Sequence, residues 1–194
     1  MPITHPVSGE LGCKVVYYGP AASGKTTNIR YVHDQLDPNA RGKLIAPTDG
    51  PDRTLFFDFL PVDMGSIRGV QTRFHLYTVP GQVPQHESRR LVLRGVDGVV
   101  FVADSHPQRM ASNVESLKDL EANLRRQNLQ LADLPLVLQF NKRDLDGATS
   151  FSELQDMLNP NGREAFEAVA IRGEGVLESL TAISRLVIAS LNRA

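Results

Sequence analysis

The stretch GPAASGKT, Gly19 to Thr26, spaces two glycines, a lysine and a threonine as in the pattern G-x-x-x-x-G-K-[ST]. That spacing suits the binding of phosphate. Backbone N–H groups around Ala22 to Lys25, with the dipole of a following helix, converge on phosphate oxygens, and Gly24 allows close approach. Lys25 supplies a point charge to the β- and γ-phosphates, and the hydroxyl of Thr26 can coordinate magnesium. Gly19, Ala22, Ser23, Gly24, Lys25, Thr26 and Thr27 are therefore expected to bind a nucleotide, and Lys25 to act on the transferred phosphoryl group as well.

The second stretch is NKRD, Asn141 to Asp144. A carboxylate at Asp144 can accept from both the N1–H and the 2-amino group of guanine, whereas adenine presents an acceptor there and repels it. Asn141 can tie this loop to neighbouring backbone, and the stem of Lys142 can pack on the face of the base. Val169 and Ala170 belong to the stretch Val169 to Ile171, whose following loop is expected to line the base. Histidines at 5, 33, 75, 86 and 106 show no metal-ligand spacing, and no zinc site or Ser-His-Asp arrangement is read from the scattered residues.

These residues need a sheet to position them. KVVYY, residues 14 to 18, reads as a strand running into the first loop, and TTNIRYVHDQL as the helix leaving it. Residues 37 to 52 are rich in Pro, Gly, Asp and Thr and form a candidate mobile functional loop. TLFFDFLPVD and GVQTRFHLYTV flank a turn and read as an antiparallel strand pair, followed by the strand GVVFVAD at 98 to 104. Met110, Val114, Leu117, Leu120 and Leu124 recur at helical spacing and mark a core-facing stripe. A strand at 134 to 142 delivers NKRD to the carboxyl edge, where α/β sheets bind ligands. A helix is expected within 151 to 158, a last strand at 167 to 171, and a closing helix carrying Val176, Leu180, Ile183, Val187 and Leu191. The alternation predicts a three-layer α/β domain with a mostly parallel central sheet and one antiparallel edge strand.

A chain of 194 residues is expected to be one domain, with 1 to 10 as a flexible N-terminal segment. Apolar residues at 41% and charged residues at 22% fit a globular protein and exclude disorder. The formal net charge of -1 argues against nucleic acid or an anionic membrane as primary partner. Cys13 is the single cysteine and sits in an apolar run, so it reads as a structural thiol in a reducing compartment. With no signal region, lipidation motif or spanning run, the expectation is a cytoplasmic protein that is not inserted in a membrane and reaches any membrane only through partners.

Taken together, the phosphate loop, the Thr-bearing loop, PGQ and NKRD resemble Ras-like small GTPases of the P-loop class. KVVYYGP, GKTTN, DRTLFFDFLP, TRFHLYTVPGQ, GVDGVVFVADS and NKRDL narrow the resemblance to the bacterial MglA family of mutual gliding polarity GTPases. The resemblance implies GTP and GDP as ligands, magnesium as cofactor and hydrolysis that is slow without an activating partner. It implies an activating roadblock-domain protein of the MglB type and effectors of cell polarity or motility. It also assigns roles: Thr54 as the loop threonine whose hydroxyl meets magnesium, Arg53 as an arginine finger supplied within the chain, Gly81 as a backbone donor near the γ-phosphate, and Gln82 as the group that orients attacking water.

Four features depart from the superfamily pattern. Thr78 stands where most small GTPases carry the Asp of Asp-x-x-Gly, so one full negative charge near magnesium is missing, and Asp58 is a candidate to supply it or to make a structural hydrogen bond. Ala21 replaces the usual glycine, and its β-carbon can crowd Gln82 or the arginine and slow hydrolysis. Pro47, Gly50 and Pro51 in the first switch, and Pro84 and His86 in the second, leave partner choice open. The leading reading is a GTP-hydrolysing switch in which 37 to 54 and 79 to 90 rearrange. The alternatives are an interaction module that holds GTP with negligible hydrolysis and, on the phosphate loop alone, a small-molecule phosphotransferase.

Overall fold

The computed structural model describes residues 3–4, 10–46, 57–67, 69–79 and 86–192. In chain order the elements are β1 (Ile3–Thr4), β2 (Leu11–Tyr18), α1 (Lys25–Gln35), β3 (Phe59–Ile67), β4 (Val70–Thr78), α2 (His86–Leu93), β5 (Gly98–Asp104), α3 (Met110–Arg125), β6 (Leu136–Asn141), α4 (Phe151–Leu158), β7 (Ala165–Ala168) and α5 (Val176–Leu191). A single 3-10 turn, Pro107–Arg109, leads into α3.

The sheet runs β3-β4-β2-β5-β6-β7. Strands β4, β2, β5, β6 and β7 are parallel, while β3 pairs antiparallel with β4 at the edge, and β1 pairs antiparallel with the first residues of β2. Residues of β5 and β6 are buried throughout, which is why GVVFVAD and LVLQFN read as continuous runs rather than alternating ones. Successive side chains still point to opposite faces. Val15 and Tyr17 of β2, with Val100 and Val102 of β5, pack under Ile29 and Val32 of α1 and Ile183 and Val187 of α5. Val16 and Tyr18, with Phe101 and Phe140, pack under Leu93 of α2, Leu120 and Leu124 of α3, and Leu154 of α4. The result is three layers, α1 and α5 on one face, α2, α3 and α4 on the other. Because β2 lies between β4 and β5, its carboxyl end is the point from which the chain winds outward in both directions, the place where such sheets bind ligands.

Two expected strands differ in their bounds, and β1 and α2 are additions to the expected elements. Strand β2 begins at Leu11 rather than at 14, since its first residues gain partners on β4, Leu11 opposite Thr72 and Gly12 opposite Arg73. The last strand is Ala165–Ala168, not 167 to 171. Its expected continuation instead turns: Arg172 N–H donates to the Val169 carbonyl, Gly173 N–H to the Ala170 carbonyl, and the Ala170 N–H is taken by the side chain of Asn141, so no neighbouring strand is needed to satisfy it.

Candidate nucleotide-binding site

The loop from Gly19 leaves β2 at its carboxyl end and enters α1 through Gly24, whose φ of 103° is in the left-handed region. Glycine is required there for a second reason. A β-carbon on Gly24 would lie 2.1 Å from Nδ2 of Asn141. That close approach lets the Asn141 amide donate to the Ser23 carbonyl at 2.7 Å while its oxygen accepts from the Ala170 N–H at 2.9 Å. One buried side chain therefore joins the loop after β2, the loop after β6 and the loop after β7.

Lys25 is buried, and its ammonium donates to the carbonyls of Gly19 at 3.0 Å and Pro20 at 2.6 Å. Burial, followed by the nearby charge of Arg89, lowers its pKa from the ordinary lysine value to about 7, with Asp58 acting in the opposite sense and Arg109 adding to the depression. An anion placed against the Lys25 amine would restore its charged form.

Thr26 donates its hydroxyl to Asp58 Oδ2 at 2.5 Å, and Thr78 donates to the same oxygen at 2.9 Å. The Thr78 oxygen in turn accepts from the Asp58 N–H at 2.8 Å. Thr78 ends β4 and Asp58 immediately precedes antiparallel β3, both buried at the edge of the sheet where the parallel strands end, so Thr78 acts here as a holder of Asp58 and Asp58 brings a carboxylate to the hydroxyl of Thr26. Two hydroxyls and a carboxylate form a hard-oxygen set that fits magnesium. Among the described residues no group of three His, Cys, Asp or Glu side chains could hold a metal, so the donor set rests on hydroxyls and one acid.

On the base side, Lys142 has a φ of 68° and its ammonium lies 2.6 Å from Asp104 Oδ2. Asp144 is exposed and lies 3.3 Å from Arg172 Nη2. Val169 and Ala170 are buried beneath this corner, and Arg143 N–H donates to the Ala168 carbonyl. Thr27 is half-buried on the first turn of α1, and Ala22 is exposed at the crown of its loop. Arg53, Thr54, Gly81 and Gln82 lie outside the described residues.

Sequence reasoning missed Asp104, Arg109, Asn113 and Gln139. Asp104 carried a legible signal, an acid ending an apolar strand at the ligand edge. The other three carried none: Arg109 and Gln139 act through partners distant in sequence, and Asn113 acts only by fixing the backbone of Asp104. Asn28 Nδ2 donates to the Gly24 carbonyl, and Gln139 Nε2 donates to Asn28 Oδ1 at 2.9 Å and to Ser179 Oγ at 3.1 Å, so a buried polar chain runs beneath the loops. Cavities of about 550 and 630 Å³ border α5 and share no residue with the site.

Residues 7–187 match the model of the ADP-ribosylation factor family. The chain is 50% identical over 186 residues to the mutual gliding-motility protein MglA of Myxococcus xanthus (strain DK1622), covering 96% of this chain and 95% of that one. It is 25% identical over 182 residues to ADP-ribosylation factor-like protein 6 of Caenorhabditis briggsae, covering 91% and 87%. With its mostly parallel α/β sheet and phosphate-loop geometry, the chain belongs to the ADP-ribosylation factor family of Ras-like small GTPases and, within it, to the MglA family.

Proposed function

We propose that this chain is a molecular switch that binds GTP with magnesium, hydrolyses it to GDP and, through nucleotide-dependent partner binding, controls cell polarity or motility. The observation that carries the reading is the Asn141 amide, which joins Ser23 of the phosphate loop to Ala170 of the base loop and so makes one site of two motifs. The 50% identity to a mutual gliding-motility protein supports the cellular role.

In this reading the N–H groups of Ala22 to Lys25 and the Lys25 ammonium hold the phosphates, and Asp144 selects guanine. Thr26, with Asp58 held by Thr78 behind it, and Thr54 hold magnesium, which when bound neutralises charge on the β- and γ-phosphates. Arg53 meets transition-state charge, Gly81 donates its N–H to the γ-phosphate, and Gln82 orients water. Partners are a roadblock-domain activator of the MglB type and polarity or motility effectors, which recruit the protein to a pole. No helix among the described residues is long and apolar enough to cross a membrane.

Titrating the purified protein with GTP, GDP and ATP tests the ligand. Guanine nucleotides are expected to bind at least tenfold tighter than ATP, the size of preference a lost hydrogen-bond pair and a repulsive contact produce. Equal or tighter ATP binding would overturn the assignment in favour of a phosphotransferase. Ala21 favours a second reading, an interaction module that holds GTP without hydrolysing it. Single-turnover hydrolysis accelerated by a roadblock-domain dimer would remove that reading.

A further inference from the structure

The guanidinium of Arg109 reaches from the turn after β5 to the phosphate loop after the neighbouring strand β2. Its Nη2 donates to the Ala21 carbonyl at 2.7 Å, from 88 residues away in sequence. Its Nε lies 3.8 Å from Asp104 Oδ2, the oxygen that also receives Lys142. Asp104 is itself fixed, since its N–H donates to Asn113 Oδ1 at 3.0 Å and its carbonyl accepts from Asn113 Nδ2 at 2.8 Å. Arg109 is thus tethered at one end and bonded to a single loop peptide at the other.

That peptide is strained. Ala22 holds a φ of 60°, a left-handed conformation that a residue with a β-carbon avoids. In a planar trans peptide the C=O and the N–H point in opposite directions. A guanidinium holding the Ala21 oxygen on one side therefore aims the Ala22 N–H to the other, the orientation in which successive N–H groups form an anion-binding concavity. Rotating the peptide would relieve Ala22 and turn a carbonyl oxygen toward the anion.

We propose that Arg109 is a positioning residue for phosphate binding: it holds the Ala21–Ala22 peptide with its N–H toward the nucleotide against the preference of Ala22. The role extends the nucleotide-binding reading above and rests on it. Arg109 acts on GDP and GTP alike, because the peptide and not the γ-phosphate is what it touches.

The test is dissociation of fluorescently labelled GDP and GTP from the full chain with magnesium, for wild type, Arg109→Met, Arg109→Lys, Ala22→Gly and the Arg109→Met/Ala22→Gly double variant, each checked for cooperative melting. Arg109→Met is expected to release both nucleotides about tenfold faster, the scale of one charge-assisted hydrogen bond. Arg109→Lys, which keeps a cation for the carbonyl, stays near wild type. In the double variant glycine no longer resists the left-handed conformation, so dissociation returns toward the wild-type rate. Unchanged dissociation in Arg109→Met, loss confined to GTP, a Lys variant as fast as the Met variant, or a double variant as fast as Arg109→Met would each overturn the role. Wild-type protein that retains no guanine nucleotide would contradict the function itself, a result separable from all of these.

Discussion

Thr78 occupies an aspartate's usual position, and its hydroxyl is bonded to a carboxylate that a different strand supplies. Asp58, opposite it on the neighbouring strand, takes hydroxyl hydrogens from Thr26 and Thr78. Asp58→Asn is expected to lower magnesium affinity about 10- to 100-fold, the usual effect of losing a partner that orients or charges a metal ligand. Nucleotide release followed while free magnesium is varied measures it, and an unchanged midpoint would show that Asp58 is only structural. Thr78→Val leaves the Asp58 N–H without its hydroxyl acceptor and should cost about 1–3 kcal/mol in denaturant unfolding.

Lys25 adds a pH signature. Its pKa falls to about 7 in the fold through burial and the Arg89 charge, below the ordinary lysine value. The folded chain then binds fewer protons than the unfolded chain between about pH 7 and the usual lysine range, and its stability rises with pH across that window. Phosphate recharges the amine, so binding GDP at pH 8 takes up a proton. Calorimetry in buffers of different ionisation heat is expected to show buffer-dependent binding enthalpies, and identical enthalpies would contradict the uptake.

At the scale of elements, the two loop motifs were legible because their chemistry lies within eight and four consecutive residues. The Asp58–Thr78 pair was only half legible. Counting outward from the Ile67–Val70 pair places Asp58 opposite Val79, and only the irregularity between Asp63 and Ser66 shifts the register by one and brings Thr78 to it. Strand β7 was misplaced for a related reason: Val169 to Ile171 have strand-like side chains, but Asn141 satisfies the Ala170 backbone and lets the chain turn.

The interlock of loops predicts that Gly24→Ala, which sets a β-carbon against Asn141 and forces a left-handed alanine, destabilises the fold by about 1–3 kcal/mol and weakens guanine binding together. Thermal unfolding and GDP titration of the variant measure both, and loss of one without the other would separate the loops. Helix α2 is pinned in the same manner from the other side, Arg89 Nη1 lying 2.7 Å from Asp119 of α3, whose carboxylate also accepts from Tyr18.

For the whole molecule, the layered α/β architecture followed from strands alternating with amphipathic helices. What the sequence concealed were the long-range side-chain links that make the loops one site: Gln139 to Asn28, Asn141 to Ser23 and Arg109 to Ala21. Each pairs residues from elements that meet only once the sheet has formed, and no local periodicity records such a meeting. In the proposed function, hydrolysis is the property that depends on all of these parts together with Arg53 and Gln82. Single-turnover conversion of GTP by the purified protein with magnesium and a roadblock-domain dimer, compared between wild type and Gln82→Ala, therefore tests the account most directly. Wild type is expected to form GDP, with the variant slower by two orders of magnitude or more, as when a general catalyst is lost; GTP surviving intact in the wild-type sample would show a GTP-held scaffold and contradict the switch.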